Sequence, residues 1–490
     1  MSVVGPGLPT PSQPGPRDPS RSAIEAIAAG RFDDAVRLAQ EALRARPDDS
    51  AMRHILGASL TRLGRPEEGL EHLQAATTAQ PNNPLALADL AECLRFLDRL
   101  DDAHAALDTA LTIRPAFPPA VFQKLLIHQH TGEPARAIEL GEPLARGEGA
   151  DPNMVILVAN LCRQTGRTGE GIALVERALA TPNLHPQLRR EALFALGHLR
   201  DAKGEYDAAF DAFRRANALM PAGPPASAEA IIREWPKDRV RWLPHASVRD
   251  ETPVLIVGMP RTGSTLLEQI LVSGRSCESV GESRALPMLA RRASPATLTH
   301  PLADVLSEEY LLTLRPLAVP PVTRVIDKHP GGFLHLGLAS CILPGAHVIE
   351  TLRDPRDVCL SCYFQNFGPH LGFATDLRRI ARQLVACRRL MTHWREATDL
   401  AIHAVRFETL VSEPEAMVRE VSDFLGIEYD PACLSFHESR RHVNTASAAQ
   451  VRRPLNTHGV GRWRNYETHL APVLEELEKA GVSLDEETPT

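Results

Sequence analysis

The sequence lacks the run of about 18 apolar residues that a membrane-spanning helix needs, so it predicts no membrane span. The first twenty residues lack a basic start and an apolar core, which argues against a signal peptide. We expect residues 1–15 to be a disordered tail. Aromatic residues make up only 5% of the chain, and 40 prolines interrupt it. This composition favours helix-rich segments with periodic breaks.

Cysteine is also scarce, and the chain has no excess of positive charge. Eight cysteines are spread over 490 residues, which fits the reducing cytosol better than a disulfide framework. The net charge of -7 excludes a chain that is basic over a whole face, as a general nucleic-acid binder would be. Hydrophobic residues at 43% and charged residues at 23% are typical of globular proteins. We therefore expect a cytoplasmic protein of two or three domains with no nucleic-acid partner.

Prolines and glycines repeat every 34 residues through the first half. Pro47, Pro81 and Pro115 follow this interval, and a second series has the same spacing. That series contains Gly30, Gly64, Asp98, Gly132 and Gly166, and Gly204 belongs to a last, shifted copy. Glycine breaks the chain between two helices, proline ends each unit, and small residues between them allow close packing. A period of 34 residues predicts a helical solenoid.

This pattern resembles the tetratricopeptide repeat (TPR) family over residues 16–221, in about six copies. The resemblance implies an all-α array whose concave groove binds a peptide or protein partner. The alternative is that the array only stabilises or dimerises the neighbouring domain, because no residue of the concave face stands out. Residues 222–252 lose the period, and their proline and charge content predicts a linker with room for one short helix.

A phosphate-binding loop opens the second half. Residues 254–257 form the short apolar run expected of a buried parallel strand. The loop 258–265 follows and leads into apolar residues at helical spacing. Loop amides and the N-terminus of such a helix stabilise an anion. The hydroxyls of Thr262, Ser264 and Thr265 can add hydrogen-bond donors.

The loop departs from the Walker A motif in one position. Ser264 replaces the motif's lysine, and the cation, Arg261, lies inside the loop instead. Without that lysine NTP hydrolysis is disfavoured. A fixed guanidinium group can instead clamp a terminal anionic group through two hydrogen bonds.

A second charged stretch follows a predicted strand at residues 347–352. Arg353 and Arg356 come at the carboxyl end of this strand, where α/β proteins bind ligands, and Ser361 lies on the helix after it. An arginine and a serine so placed suit a second phosphate. The alternative interpretation is a solvated charge cluster that caps the helix.

Cys359 and Cys362 form a CxxC pair inside this predicted helix. No second pair lies nearby in the sequence. Their spacing therefore favours helix packing over a redox centre or half of a zinc site.

The two loops, PRTGSTLLEQIL and RDPRDVCLS, together with the later VRFETLV, resemble sulfotransferases that use 3′-phosphoadenosine 5′-phosphosulfate (PAPS). Protein-tyrosine sulfotransferases are the closer likeness, through GESRALP (281–287), DKHP (327–330), SAAQVRRPLN (447–456) and GRW (461–463). A TPR array before such a domain is a known bacterial arrangement in this family. The resemblance implies a P-loop-type α/β domain at 253–480 with a central parallel sheet and no metal.

The resemblance also assigns catalytic roles. Glu282 would be the general base, Lys328 the catalytic lysine and Ser447 the transition-state serine. Arg284 would lie on the acceptor side. His329 is a rival to Glu282, because other sulfotransferases use histidine as the base.

The remaining implied contacts are with the nucleotide. Residues 448–457 would form a loop that closes over it. The family's tyrosine and an arginine are replaced here by Phe407 and Gln365, which puts details of nucleotide contact in doubt. The implied nucleotide-binding residues are Arg261, Thr262, Gly263, Ser264, Thr265, Arg353, Ser361, Gln450, Val451, Arg453, Asn456 and Arg462.

The expected function is transfer of a sulfuryl group from PAPS to an acceptor hydroxyl. The likeness suggests a tyrosine or other hydroxyl of a protein or peptide docked by the TPR groove, and a small hydroxyl compound such as a phenol, sugar or lipid is an alternative acceptor. Two other functions stay open: a P-loop kinase or NTPase with a TPR regulator, and a non-catalytic TPR scaffold.

Overall fold

The computed structural model describes residues 19–438, 455–482 and 484. The chain divides into two compact units, Met1–Asn183 and Leu184–Thr490. In the described part of the first unit the secondary structure is helical. Helices α1 to α10 span Pro19–Ala28, Phe32–Ala45, Ser50–Arg62, Pro66–Ala79, Pro84–Phe96, Leu100–Ile113, Pro118–His130, Pro134–Arg146, Pro152–Gln164 and Thr168–Leu179.

The predicted breaks between paired helices are confirmed. Gly30, Gly64, Gly132 and Gly166 all have φ between 70° and 79°, the left-handed conformation that commonly ends a helix. Asp98 takes the same place with φ 58°. Aspartate is among the few non-glycine residues that adopt this conformation readily, which explains how the period survives without a glycine.

The small residues of the repeat allow paired helices to touch. A Cβ atom added to Gly57 on α3 would lie 2.6 Å from Cγ of Leu73 on α4. One added to Gly69 would lie 2.7 Å from the Gly57 carbonyl oxygen. Any larger side chain at either position would force α3 and α4 apart.

The second unit begins with a sixth helix pair, α11 (Pro186–Ala202) and α12 (Tyr206–Asn217). Two short helices follow within the predicted linker, where one was expected: α13 (Ala228–Glu234) and α14 (Lys237–Val240). Trp235, which directly follows α13, is buried, and its carbonyl oxygen lies 2.7 Å from Nε2 of His393. The segment therefore packs onto the rest of the second unit.

A five-stranded parallel sheet forms the centre of the second unit, in the order β2-β3-β1-β4-β5. β1 is buried along its whole length, as the apolar run predicted. In register, Val254 of β1 pairs with His347 of β4, and Ile256 pairs with Lys328 of β3. The strands β1 to β5 span Pro253–Gly258, Cys277–Gly281, Arg324–Lys328, His347–Leu352 and Ala401–Arg406.

Helices surround this sheet, as the predicted fold class requires. Helices α15 to α23 span Ser264–Val272, Ala285–Leu289, His300–Leu314, Leu336–Ile342, Pro355–Tyr363, Leu377–Ala397, Phe407–Ser412, Pro414–Leu425 and Ala471–Lys479. Short 3₁₀ helices span Pro330–His335, Pro369–Thr375, Pro431–Glu438 and Arg462–His469. Within the described ranges no helix is long and apolar enough to cross a bilayer.

The strand order places a crevice between β1 and β4. The chain leaves β1 toward β2 on one side of the sheet and leaves β4 toward β5 on the other. Connections that diverge in this way leave an opening at the carboxyl ends of the two strands, where ligands of α/β proteins bind.

Candidate active site

Each of the five strands leads into a residue of interest at the same edge of the sheet. Arg261 lies in the loop after β1, and Lys328 is the last residue of β3. Glu282, Arg353 and Phe407 directly follow β2, β4 and β5. Because carboxyl ends of parallel strands share one edge, residues distant in sequence meet here.

The shape of the loop after β1 depends on two glycines. Gly258 has φ 144°, and a Cβ there would lie 2.7 Å from the Thr351 carbonyl oxygen. Gly263 has φ 96°, and a Cβ there would lie 2.7 Å from the Phe407 ring. Between them Arg261 adopts φ 71°, a conformation that is uncommon for arginine and concentrates at ligand sites.

The hydroxyl side chains of this loop differ in their contacts. Thr262 Oγ1 donates to the Met259 carbonyl at 2.7 Å and lies 2.7 Å from Thr351 Oγ1, so it ties the loop to β4. Ser264 and Thr265 are buried at the start of α15. The first-turn amides of α15 have no partner within the helix and are thus suited to an anion.

Arginine side chains from separate loops converge beside this helix start. Arg261 Nε donates to Ser361 Oγ at 3.0 Å, and Arg353 Nη1 donates to the Arg261 carbonyl oxygen at 3.0 Å. Burial, together with the charges of Arg353 and Arg462, lowers the pKa of Arg261 to about 10. Arg353 Nε is buried and has no hydrogen-bond partner in the described part of the chain. An anion placed here would reduce the repulsion between the cations.

Phe407 contacts both arginine-bearing loops. Its ring lies 4.6 Å from the guanidinium carbon of Arg353, in a cation–π arrangement, and also packs against Gly263. The phenylalanine that departs from the family's tyrosine thus supports Arg353 through its ring.

Lys328 forms the second focus of the site. Its side chain is 0% exposed, and its Nζ donates to Glu282 Oε1 at 2.6 Å. Glu268 Oε2 lies 3.7 Å from the same Nζ. Two carboxylates therefore flank a buried ammonium group and compensate for its lost hydration.

Glu268 was missed by sequence reasoning. It lies buried on α15, the helix after the phosphate loop, and Oε1 accepts a hydrogen bond from Ser279 Oγ at 2.5 Å. Burial raises the pKa of Glu268, while the charge of Lys328 opposes the rise. The only sequence signal was a carboxylate within an otherwise uncharged helix.

The two candidate bases have different surroundings. The Glu282 side chain is 50% exposed and contacts Lys328. His329 Nδ1 is buried without a hydrogen-bond partner among the described residues, and burial lowers the pKa of His329. Glu282 is thus at the rim of the site, with Arg284 exposed two residues further on.

The GRW segment is anchored beside Arg353. Asp357 on α19 accepts hydrogen bonds from the amides of Gly461 and Trp463, at 2.7 and 2.8 Å. Arg353 Nη2 donates to the Gly459 carbonyl oxygen. Arg462, between the two anchored amides, is therefore held close to the arginine cluster.

Several predicted residues lie outside the described residues: Ser447, Gln450, Val451 and Arg453. Asn456 is described, is exposed, and accepts a hydrogen bond from the His458 amide at 3.2 Å. The predicted loop at 448–457 is therefore described only from residue 455 onward.

The CxxC pair is buried. Cys359 and Cys362 are both free thiols with no exposure, and burial raises the pKa of Cys362 to about 12. These surroundings support helix packing as their role. In the described ranges no three His, Cys, Asp or Glu side chains lie close enough together to hold a metal ion.

Family comparisons agree with both halves of the chain. Residues 253–431 match the model described as Sulfotransferase family. Residues 21–84, 60–125 and 191–222 match models described as Tetratricopeptide repeat.

Two relatives match part of the chain at 30% and 24% sequence identity. An uncharacterized protein of Aquifex aeolicus is 30% identical over 355 residues, which is 65% of this chain and 45% of that protein. The chain thus spans less than half of this relative's length. Protein-tyrosine sulfotransferase 1 of Danio rerio is 24% identical over 237 residues, which is 44% of this chain and 66% of that enzyme.

Two kinds of solved structure, a sulfotransferase domain and a TPR protein, each align with part of the chain. The sulfotransferase domain of the Synechococcus olefin synthase aligns with a TM-score of 0.37 and 20% identity, over 50% of this chain and 98% of that domain. A TPR protein of Thermus thermophilus aligns with a TM-score of 0.34 and 24% identity, over 37% of this chain and 98% of that protein. The chain therefore matches tetratricopeptide repeats in its first half and the sulfotransferase family over residues 253–431, in agreement with the helix pairs and the parallel sheet described above.

Proposed function

We propose that the protein is a sulfotransferase that moves a sulfuryl group from PAPS to an acceptor hydroxyl. The observation that carries this proposal is that a partly buried arginine cluster and a buried lysine with its carboxylates lie at one edge of the sheet. The arginines suit the two phosphate positions of the donor. Lys328 and the half-exposed carboxylate of Glu282 suit the transfer step.

The donor would bind across the β1–β4 crevice. Arg261 and the start of α15 would hold the 5′-phosphosulfate, and Arg353 with Ser361 would hold the 3′-phosphate. Arg353 Nε has no hydrogen-bond partner among the residues that the structure describes, and this together with the crowding of positive charge supports an anionic ligand here. Because Arg261 donates to Ser361 at 3.0 Å, the two phosphate positions would be coupled through one hydrogen bond.

The transfer step follows from where charge moves. The acceptor oxygen attacks sulfur, a new S–O bond forms, and the S–O bond to the 5′-phosphate breaks. Glu282 takes the acceptor's proton and later returns it to solvent. Lys328 and Arg261 balance the charge that grows on the leaving phosphate oxygen and the sulfuryl oxygens. Ser447, outside the described residues, would help to stabilise the same negative charge.

The proposed reaction needs no metal ion. The leaving group is a single phosphate, and no bridge between β- and γ-phosphates has to be neutralised as in kinases. Lys328 and Arg261 supply the positive charge instead.

The acceptor in this proposal is a tyrosine or other hydroxyl of a protein or peptide. The match to protein-tyrosine sulfotransferases supports this class, and a concave TPR surface would offer a docking groove for it. Arg284 is exposed close to Glu282, which is compatible with a position on the acceptor side. Small hydroxyl compounds form the comparison set in an acceptor screen.

Thermal unfolding with nucleotides tests the donor assignment. We expect 3′-phosphoadenosine 5′-phosphate (PAP) to stabilise the protein, by about 2.7 kcal/mol at 100 times its dissociation constant, and ATP with Mg²⁺ not to do so. Stabilisation by ATP with Mg²⁺ alone would favour the kinase function. A response to neither ligand would favour the scaffold. Sulfate incorporation from labelled PAPS into peptide and small-molecule acceptors completes the test.

Glu282→Gln tests the base. We expect a fall in the rate of sulfate transfer on the order of 10²-fold with PAP affinity retained, because the amide cannot accept the proton. His329→Asn is the matched variant and should retain most activity. Initial rates at saturating PAPS decide between them, and the reverse pattern would assign the base to His329.

A further inference from the structure

The last helix pair of the repeat region packs against the candidate active site. The Phe213 ring on α12 stacks on Phe364 with centroids 4.0 Å apart, and Asn217 Nδ2 donates to the Tyr363 carbonyl oxygen at 2.9 Å. Tyr363 ends α19 and Phe364 follows it, and α19 is the helix that carries Ser361. The pair α11–α12 therefore forms part of the wall behind the 3′-phosphate position.

One carboxylate of this helix pair, that of Asp201, contacts an arginine of the candidate site. Asp201 on α11 is mostly buried, and its Oδ2 accepts a hydrogen bond from Arg462 Nη2 at 2.6 Å. Its Oδ1 accepts from the Tyr466 hydroxyl at 2.5 Å. Because Tyr466 fixes the carboxylate, Asp201 can in turn fix the guanidinium group of Arg462.

Arg462 lies close to the arginines proposed to bind the nucleotide phosphates, so the orientation of its guanidinium group would affect binding. Its backbone neighbours on both sides are anchored by Asp357, and Gly459 contacts Arg353. Its guanidinium carbon lies 5.5 Å from the Phe364 ring centroid. Its positive charge is one of the causes, after burial, that lower the pKa of both Arg261 and Arg353. The charge of Arg462 therefore acts at the same place as the charges of Arg261 and Arg353.

We propose that Asp201 is a positioning residue: it holds Arg462 in the orientation that contacts the phosphates of the bound nucleotide. Arginine has five N–H donors, so one contact with Asp201 leaves others for the ligand. The proposal rests on the proposed function, since it requires a bound 3′,5′-bisphosphate. It makes the last repeat helices part of the donor site and separates them in role from the preceding repeats.

Whether the loss of Asp201 weakens or tightens PAP binding distinguishes a positioning role from a simple effect of its charge. Removing a negative charge beside an anion site would by itself tighten anion binding. Loss of orientation would weaken it. A weaker affinity in an Asp201→Asn variant is therefore not a by-product of the charge change.

The test compares two aspartates of the same helix pair by calorimetric titration of the full chain with PAP. Asp201→Asn should weaken PAP binding about tenfold or more, the value expected for hydrogen bonds to charged groups. Asp207→Asn is the control. Asp207 Oδ1 lies 2.8 Å from Nε2 of His469, which belongs to the same 3₁₀ helix as Arg462, but the Asp207 side chain is 91% exposed. Asp207→Asn should change the affinity by less than about twofold.

A double-mutant cycle then shows whether Asp201 acts through Arg462. We expect Arg462→Ala to weaken PAP binding, and Asp201→Asn to add no further loss in that background. Additive losses, or unchanged or tighter binding in Asp201→Asn alone, would overturn the positioning role. Failure of the unmutated protein to bind PAP would instead overturn the proposed function, and this inference with it.

A milder variant guards against a folding defect. Tyr466→Phe keeps the ring, which packs on Tyr206 with centroids 5.3 Å apart, and removes only the hydroxyl that fixes Asp201. If Asp201→Asn lowers the unfolding temperature of the ligand-free chain more than Asp207→Asn does, Tyr466→Phe becomes the deciding variant. It should weaken PAP binding in the same direction, and unchanged affinity would count against positioning.

Discussion

Lys328→Met is expected to lower the rate of sulfuryl transfer about 10³-fold while PAP affinity changes little. The ammonium group lies at the end of β3, within 2.6 Å of the proposed base, and in the proposed reaction it would balance charge that exists only as the S–O bond breaks. An interaction made mainly in the transition state affects the rate constant and not the binding of the bisphosphate product. Single-turnover rates with labelled PAPS measure the effect.

Two features make methionine the right replacement. Its unbranched side chain fills most of the fully buried lysine site, so packing is kept. The neighbouring Glu268 is already shifted toward protonation by burial and can become neutral once the lysine charge is gone. Lys237→Met is the control, because Lys237 forms an exposed ion pair with Glu396. A Lys328→Met rate within tenfold of the unmutated protein would remove Lys328 from the mechanism.

Arg353→Ala is expected to weaken PAP binding roughly 10²–10³-fold. Its guanidinium group is held by the Arg261 carbonyl, by Gly459 and by the Phe407 ring, and its Nε has no partner in the described residues. The side chain is thus fixed before the ligand arrives, so little entropy is lost on binding. Calorimetric titration measures the change directly.

The control for Arg353 is Arg389→Ala. Arg389 is exposed on α20 and forms an ion pair with Glu229 at 2.6 Å, so its loss removes an equal charge without touching the cluster. Equal weakening in both variants would point to a general field effect. Unchanged affinity in Arg353→Ala would show that the 3′-phosphate is held elsewhere.

The repeat region could be predicted from sequence because its period is local. Spacing of 34 residues between helix-breaking positions is visible without knowledge of long-range contacts, and the left-handed conformation of Asp98 accounts for the one irregular slot. The strands at 253–258 and 347–352 were equally visible, since an apolar run followed by a glycine loop or by charged residues is a local signal. The roles of Glu282, Lys328 and the arginines remain predictions, although the fold brings these residues to one edge.

The supporting contacts could not be predicted. Glu268 faces Lys328 only because α15 packs beside β3, and the single charged residue of a helix resembles a solvated residue when read alone. Asp201 and Arg462 are separated by most of the second unit in sequence and meet through packing of aromatic rings. Such pairs depend on tertiary geometry, and one sequence contains no pattern that links them.

The division of the chain after Asn183 has a consequence for how such proteins can diversify. The described residues of the candidate active site, Asp201 included, all belong to the second unit, whereas the first ten helices contribute none of them. Repeats before Leu184 can therefore be gained, lost or exchanged in a chimera while the proposed active site is inherited intact. The helix pair after Leu184 is not interchangeable in this sense and should travel with the transferase whenever the two halves are recombined.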